Sequence, residues 1–323
     1  MCSPSTPSTA IVVCDQAQTA ALLDFKQLVE AIAQAASDLE AGTVLSPERM
    51  VVPLGEGGVL LSMPATAQDI GIHKLVNVQR GNTQRNLPTI NGMVTVCDAP
   101  TGKIICLLDG PEVTGRRTAA VTLLAIRTCL GQAPKAILLF GTGAQARYHL
   151  QAVNALYPQA KIWVRGVSPQ AAVEFCERNR HLHEHLEGIG NTVPEVDVVI
   201  AATTSNEPVY DEPGKVGRLV VGVGAFTPDM AEIGKATLDA SDIYVDEPEG
   251  ARHEAGDLLQ AGVDWGRVKP LAYALKAGVD RSRPVVFKSV GTAAWDLAAA
   301  RVALAGLAAN THDRVSQEPA PCK

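Results

Sequence analysis

Phe140-Gly141-Thr142-Gly143-Ala144-Gln145-Ala146 closes the apolar run Ala136-Ile137-Leu138-Leu139-Phe140 and opens a segment of helical periodicity over 145–156. The spacing is G-x-G-x-x-A between a strand and a helix, the context that a dinucleotide-binding turn requires. Gly141 allows the tight turn, Gly143 lets the backbone approach a pyrophosphate, and Ala146 permits close helix–strand packing. Thr142, Ala144 and Gln145 complete the turn at a helix N-terminus, where unpaired N–H donors and the positive dipole end favour an anion.

Outward from this turn, further short apolar runs occur at 162–164, 196–202, 219–223, 243–245 and 285–287, with helical patterns such as 169–178 between them. Continuous apolar strands separated by helices describe a parallel sheet covered on both faces. The fold class is therefore α/β, with a Rossmann doubly wound parallel sheet over 119–290. The first part of the chain reads differently. An amphipathic helix over 26–40 carries Leu28, Ile32 and Leu39 on one side. Strand-like pieces follow at 57–63, 73–78, 92–98 and 104–109, with Pro100-Thr101-Gly102 as a hairpin turn. A helix over 115–129 links the two parts, and an Ala-rich helix over 292–309 is expected to return to the first. Residues 1–118 and 291–323 thus form a second, α+β domain. The polar ends, 1–7 and from Asn310 onward, read as frayed or mobile tails.

The second strand of the parallel sheet ends in Val164-Arg165-Gly166-Val167-Ser168. No acid stands where a ribose 2′-hydroxyl would need one. Arg165, by charge and fork geometry, and Ser168 suit a 2′-phosphate instead. NADPH is expected in preference to NADH. Small residues end the third and fourth strands, in Ala201-Ala202-Thr203-Thr204-Ser205 and Val223-Gly224-Ala225-Phe226. Thr203, Val223, Gly224 and Ala225 are the candidate cofactor contacts there.

Composition excludes other classes. In 323 residues, 28 Lys and Arg stand against 34 Asp and Glu, a net charge of −6, with no basic block. That argues against nucleic acid, whose phosphates need clustered cations. No apolar run approaches the length of a membrane span, about 18 residues. The seven cysteines, Cys2, Cys14, Cys97, Cys106, Cys129, Cys176 and Cys322, are irregularly spaced and form no C-x-x-C pair. Reduced thiols in a cytoplasmic protein are expected, without structural zinc. His181, His183 and His185 could share one face of a strand, as metal ligands would, but the stretch is polar. A surface histidine cluster with no metal is expected.

Gly115-Arg116-Arg117-Thr118-Ala119-Ala120, preceded by Leu108-Asp109-Gly110, resembles the R-T-A-A helix start of the ornithine cyclodeaminase/μ-crystallin family. Met63-Pro64-Ala65, Lys74, Asn77, Leu87-Pro88-Thr89 and the glycine turn fit the same pattern in order. So do Gly224-Ala225-Phe226-Thr227-Pro228-Asp229-Met230-Ala231-Glu232 and Lys288-Ser289-Val290-Gly291. The resemblance spans most of the chain, from 49 to 296. It implies a homodimer that binds NAD(P)H and small amino or imino acids, with the α+β domain serving substrate binding and dimerisation. By position, Arg49 and Arg117 match the family's carboxylate-binding arginines and Lys74 its active-site lysine. Thr89 and Ser289 match cofactor-contacting positions, and Val290 a substrate-wall position.

One departure is informative. The family's cyclodeaminases carry an aspartate for the substrate's distal amine where this chain has Phe226. A phenyl ring can neither accept a proton nor pair with an ammonium. The resemblance therefore implies a reductase of cyclic imino acids, acting on Δ1-pyrroline-2-carboxylate or Δ1-piperideine-2-carboxylate, with Phe226 as an apolar wall. Ornithine cyclodeaminase, an alanine dehydrogenase of the family and a non-catalytic μ-crystallin-like binding protein are the alternatives.

Overall fold

In the computed structural model, which describes residues 10–316, helices cover a mixed sheet in the first part of the chain. The expected tail at 1–7, Cys2 and Cys322 lie outside the described residues. The order begins β1 (Val12–Val13), α1 (Gln16–Leu22), α2 (Phe25–Glu40), β2 (Met50–Leu54), β3 (Gly58–Thr66), β4 (Ile70–Val78), β5 (Ile90–Asp98) and β6 (Ile104–Asp109). Asp24 caps α2 by accepting from the Gln27 N–H at 3.0 Å, and Leu28 and Ile32 are buried under it. Strands β2 to β6 form an antiparallel meander, and β1 adds in parallel to β6. The turn at Pro100-Thr101-Gly102 forms as expected. Asp98 accepts from the Thr101 N–H at 3.0 Å and Gly102 takes φ +69°. Strands β1 and β2 are additions to the sequence reading; one is very short and the other mostly exposed, so neither carries an alternating apolar signal.

Helix α3 (Gly110–Ala125) starts earlier than the expected 115 and ends before 129 in a π turn, Ile126–Leu130. The cause is local: Asp109 accepts from the Glu112 N–H at 2.7 Å, and Pro111 occupies the first turn. The expected division at 118/119 falls inside this helix, which packs on α2, on β5 and on the first helix of the parallel sheet.

The rest follows as β7 (Ala136–Phe140), α4 (Ala144–Leu156), β8 (Lys161–Arg165), α5 (Pro169–Asn179), β9 (Leu186–Gly188), β10 (Val198–Ala201), β11 (Leu219–Gly222) and α6 (Lys235–Asp239). Then come β12 (Asp242–Val245), α7 (Pro248–Glu254), α8 (Gly256–Ala261), β13 (Val268–Pro270), α9 (Leu271–Ala277), β14 (Val285–Lys288) and α10 (Ala293–Ser316). All strand pairs in this second sheet are parallel, in the order β13-β12-β14-β11-β10-β7-β8-β9. The edge strands β9 and β13 exceed the six expected, because Leu186-Glu187-Gly188 and Val268-Lys269-Pro270 are too short and polar to read as apolar runs. The chain winds outward from β7 in one direction and from β10 in the other. Their carboxyl ends therefore part and leave a crevice.

Two expectations need correction. His183 is buried, its Nδ1 accepting from the His185 N–H at 3.2 Å, so of these three histidines His181 and His185 alone lie at the surface. The last helix continues to Ser316 instead of giving way to a mobile tail at Asn310. As expected, α10 returns to the first part of the chain, where it packs on α2, β3 and β4. Its alanines let it approach closely; Ala294, Ala298, Ala299 and Ala300 are fully buried.

Candidate active site

At the end of β7, Gly141 takes φ +116°, and a Cβ there would lie 2.5 Å from the Ala202 carbonyl oxygen. Only glycine meets both conditions. Gly143 begins α4, with no side-chain cap and open space where its Cβ would stand. The first N–H groups of a thirteen-residue helix thus face an unobstructed cradle, which fits a pyrophosphate. Thr142 and Gln145 flank it half-buried, Ala144 is exposed and Ala146 is buried in the helix–sheet contact. Arg165 ends β8 beside Phe140, its guanidinium 5.4 Å from that ring, and donates to Asn191 Oδ1 at 3.4 Å. Ser168 caps α5 by accepting from the Ala171 N–H at 3.2 Å. The turn that would meet the adenosine ribose holds no acid among these residues.

On the far side of the crevice one carboxylate gathers the strand ends. Glu232 is fully buried and accepts from the Thr203 N–H at 2.5 Å, Thr203 Oγ1 at 2.9 Å, the Gly224 N–H at 2.6 Å and the Ala225 N–H at 3.0 Å. Burial pushes its carboxyl up. Lys288 Nζ lies 4.0 Å from it and 2.5 Å from Asp257, which in turn accepts from the Glu232 and Ile233 N–H groups. The candidate contacts Thr203, Gly224 and Ala225 are therefore held by a buried charge cluster. Val223 is buried beside them.

The basic residues converge where α10 meets β4. Lys74 is buried on β4, its Nζ 2.6 Å from Asp296 Oδ2. Arg117, buried on α3, donates from Nε to Asp296 Oδ1 at 3.2 Å. Burial pulls the Lys74 ammonium down to about 8, opposed by Asp296 and reinforced by Arg117 and Arg49. Arg49 donates from Nη2 to the Val290 and Gly291 carbonyls at 2.9 and 2.7 Å, and its Nε lies 2.8 Å from Glu254. Nη1 is then its uncommitted nitrogen among the described residues. Burial pushes the Glu254 carboxyl up to about 7 against the pull of Arg49, and its Oε2 is buried without a partner among the described residues. Arg117 turns Nη1 and Nη2 toward Gly291. That residue sits at φ +80°, and a Cβ on it would come within 2.6 Å of Nη1.

Phe226 is half-buried on the wall of a cavity of about 320 Å³, with Val51, Val59, Leu61, Val78, Arg49 and Glu254. A second cavity of about 300 Å³ shares Arg49 and Glu254 and reaches Met63, Gly291 and Thr292. Val290 is buried and offers its carbonyl to Arg49. Ser289 is buried, with its hydroxyl donated to Asp246 at 2.6 Å. Thr89 adjoins the Val78–Ile90 pair, and Val78 is on the wall of the Phe226 cavity. Thr89 precedes β5, and its carbonyl accepts from the Gln79 N–H at 2.8 Å.

Asp296, Asp246, Glu232 and Glu254 escaped the sequence reading as site residues. Asp296 left a signal: an acid in Ala293-Ala294-Trp295-Asp296-Leu297-Ala298 cannot be buried without a cationic partner.

Residues 9–308 match the model of the ornithine cyclodeaminase/mu-crystallin family. The chain is 54% identical over 306 residues to the Δ(1)-pyrroline-2-carboxylate/Δ(1)-piperideine-2-carboxylate reductase of Azospirillum brasilense, covering 94% of this chain and 98% of the relative. It is 53% identical to Δ(1)-pyrroline-2-carboxylate reductase 1 of Burkholderia multivorans, covering 92% and 96%. Among solved structures it resembles the Thermococcus litoralis Δ(1)-pyrroline-2-carboxylate reductase in complex with NADH and L-proline. That match has a TM-score of 0.85 at 25% identity and covers 93% of this chain and 98% of the other.

Proposed function

This chain belongs to the ornithine cyclodeaminase/mu-crystallin family, and we infer that it reduces cyclic ketimine carboxylates with a nicotinamide cofactor. Δ1-pyrroline-2-carboxylate gives L-proline, and Δ1-piperideine-2-carboxylate gives L-pipecolate. The observation that carries this reading is identity above half, over nearly the whole of both chains, to a reductase named for both imines. The cation cluster facing an apolar wall supports it.

The substrate is a carboxylate attached to a C=N carbon. Arg117 offers it the Nη1–Nη2 edge, and Arg49 adds Nη1, its other nitrogens being committed. Val290 and Phe226 wall the ring. Lys74 carries a proton below about pH 8. It hydrogen-bonds the carboxylate and passes that proton to the imine nitrogen, which makes the imine carbon the better hydride acceptor. The bound cofactor supplies the hydride. The glycine turn (Gly141, Thr142, Gly143, Ala144, Gln145), Thr203, Val223, Gly224 and Ala225 hold it, with Thr89 and Ser289 as further contacts.

The test is cofactor oxidation measured in parallel with the two imines, with pyruvate plus ammonia, and with ornithine and NAD. Imine reduction without ammonia release from ornithine is expected. Conversion of ornithine to proline by the wild type overturns the reading. Phe226→Asp sets a charge against the apolar ring, where desolvation opposes it. It lowers reductase kcat/KM by at least about tenfold; an unchanged value removes Phe226 from the substrate wall.

NADPH is the preferred cofactor, on the strength of Arg165, Ser168 and the missing acid. Arg165→Ala raises KM for NADPH about tenfold, the worth of one charge-assisted contact, and leaves NADH nearly unchanged. Equal effects on both cofactors refute the assignment. The protein is a homodimer through residues 1–118 and 291–323, with 119–290 as the nucleotide domain. In support, the first sheet leaves Met50 and Met93 exposed in one register row, on one face, and exposed apolar side chains gathered on a face call for a partner. Light scattering at micromolar concentration is expected to give twice the mass of one chain; a monomer overturns this. The location is cytoplasmic, supported by free thiols at Cys14, Cys97, Cys106, Cys129 and Cys176. No helix among the described residues is long and apolar enough to cross a membrane.

A further inference from the structure

Both arginines of the site rest on one short segment. Ser289-Val290-Gly291 joins β14 to α10. The Val290 and Gly291 carbonyls hold Arg49 Nη2, while Gly291 abuts the Arg117 guanidinium. Arg49 precedes β2 and Arg117 lies on α3, so neither is near this segment in sequence. Nothing within the segment fixes its shape: Gly291 is at φ +80°, and no regular element spans 289–292.

Beyond the Ser289 N–H, which donates to the Gly222 carbonyl at 2.9 Å, the shape comes from Asp246, at the carboxyl end of β12. Its side chain is buried, and it takes part in no ion pair among the described residues. Oδ2 accepts from Ser289 Oγ at 2.6 Å, the Gly291 N–H at 2.8 Å and Trp295 Nε1 at 3.3 Å. Oδ1 accepts from the Val290 N–H at 3.2 Å and the Glu247 N–H at 3.0 Å. A buried carboxylate that meets five donors and contacts no cation, with Arg49 acting on it only through space, is stable only while those donors stay aimed at it. It therefore dictates where the Val290 carbonyl points, because that carbonyl shares a peptide with the held Gly291 N–H, and it fixes the start of the next peptide, whose Gly291 carbonyl also seats Arg49.

We propose that Asp246 is the positioning residue for the carboxylate clamp. From the parallel sheet it holds the 289–291 segment in the one conformation that seats Arg49 by its carbonyls and leaves Arg117 room beside Gly291. The inference rests on the reading of Arg49 and Arg117 as the groups that bind the imino acid's carboxylate. It adds a residue that touches neither arginine and acts through the backbone between them.

Asp246→Asn keeps the shape but turns an NH2 group toward donors, so at least one of the segment's N–H groups loses its acceptor. The expected result is a KM for Δ1-pyrroline-2-carboxylate raised at least about tenfold, with the dissociation constant for NADPH raised by no more than about threefold, since of the proposed cofactor contacts only Ser289 touches Asp246. A merely structural role would weaken both together. Trp295→Phe removes only the indole donor from the same carboxylate. It is expected to raise the imine KM by about threefold, again without changing NADPH binding, and it keeps the question open to test if Asp246→Asn does not fold. An unchanged imine KM in a folded Asp246→Asn variant overturns the proposal. So does an equal rise for imine and NADPH, or, where Asp246→Asn does not fold, an unchanged KM in Trp295→Phe. The wild-type assay separates the two levels: a wild type inactive on imines refutes the proposed function, whereas an active wild type with an indifferent Asp246→Asn refutes only the positioning role.

Discussion

Lys74→Ala is expected to lower kcat/KM for Δ1-pyrroline-2-carboxylate by about a thousandfold, in the middle of the range for loss of a general acid. That is about 4 kcal/mol of transition-state stabilisation. NADPH binding should be unaffected, because Lys74 lies in the first sheet and not among the residues of the nucleotide crevice. The same residue sets the pH profile. Burial holds its ammonium at about 8, below the ordinary lysine range. The acid form is present below that value and lost above it. Wild-type kcat/KM for imine reduction is therefore flat toward neutral pH and falls as pH rises through about 8. Asp296 opposes the downward shift. Asp296→Asn should then move the descending limb to lower pH. A limb that stays in place in that variant, or a Lys74→Ala enzyme within about tenfold of wild type, dismisses Lys74 as the proton source.

Asp296→Ala carries the largest expected loss of stability. Its carboxylate is fully buried and pairs with two buried cations, Lys74 at 2.6 Å and Arg117 at 3.2 Å. Removing one partner of a buried ion pair costs about 3–5 kcal/mol, because the other charge is left uncompensated. Lys74 can escape by releasing its proton; Arg117 cannot, since a guanidinium stays charged. The variant should unfold at lower urea, with an unfolding free energy smaller by that amount. Lys74→Met in the same background should recover part of it, because the cost of keeping a buried amine, charged or forced to release its proton, is then gone. A loss below about 1 kcal/mol would place the cluster in the class of solvent-screened surface pairs.

The parallel sheet was legible because its evidence is local. Ala136–Phe140 is apolar at every position since both faces of β7 are covered, and the glycine spacing after it answers to one tight turn. The reading failed where the local signal is weak or comes from a cap. It missed β9 and β13, too short to carry periodicity, and placed the start of α3 late by overlooking the Asp109 cap and Pro111. For the site, motif order pointed to Arg49, Lys74, Arg117 and Phe226 one by one, and the fold brings the three cations to one place.

What the sequence determined by itself is the element-by-element pattern and the cofactor turn, because hydrophobic period and turn chemistry act over a few neighbouring residues. Only the tertiary structure decided how the charges are paired. Arg117 and Asp296 are 179 positions apart, and Arg49 reaches the Val290 carbonyl across 241. Asp246, Glu232 and Asp296 look like any other acid in the chain until folding removes water from them. Once they are buried, each carboxylate needs donors or cations within hydrogen-bond reach, and only the packed chain determines which residues those are.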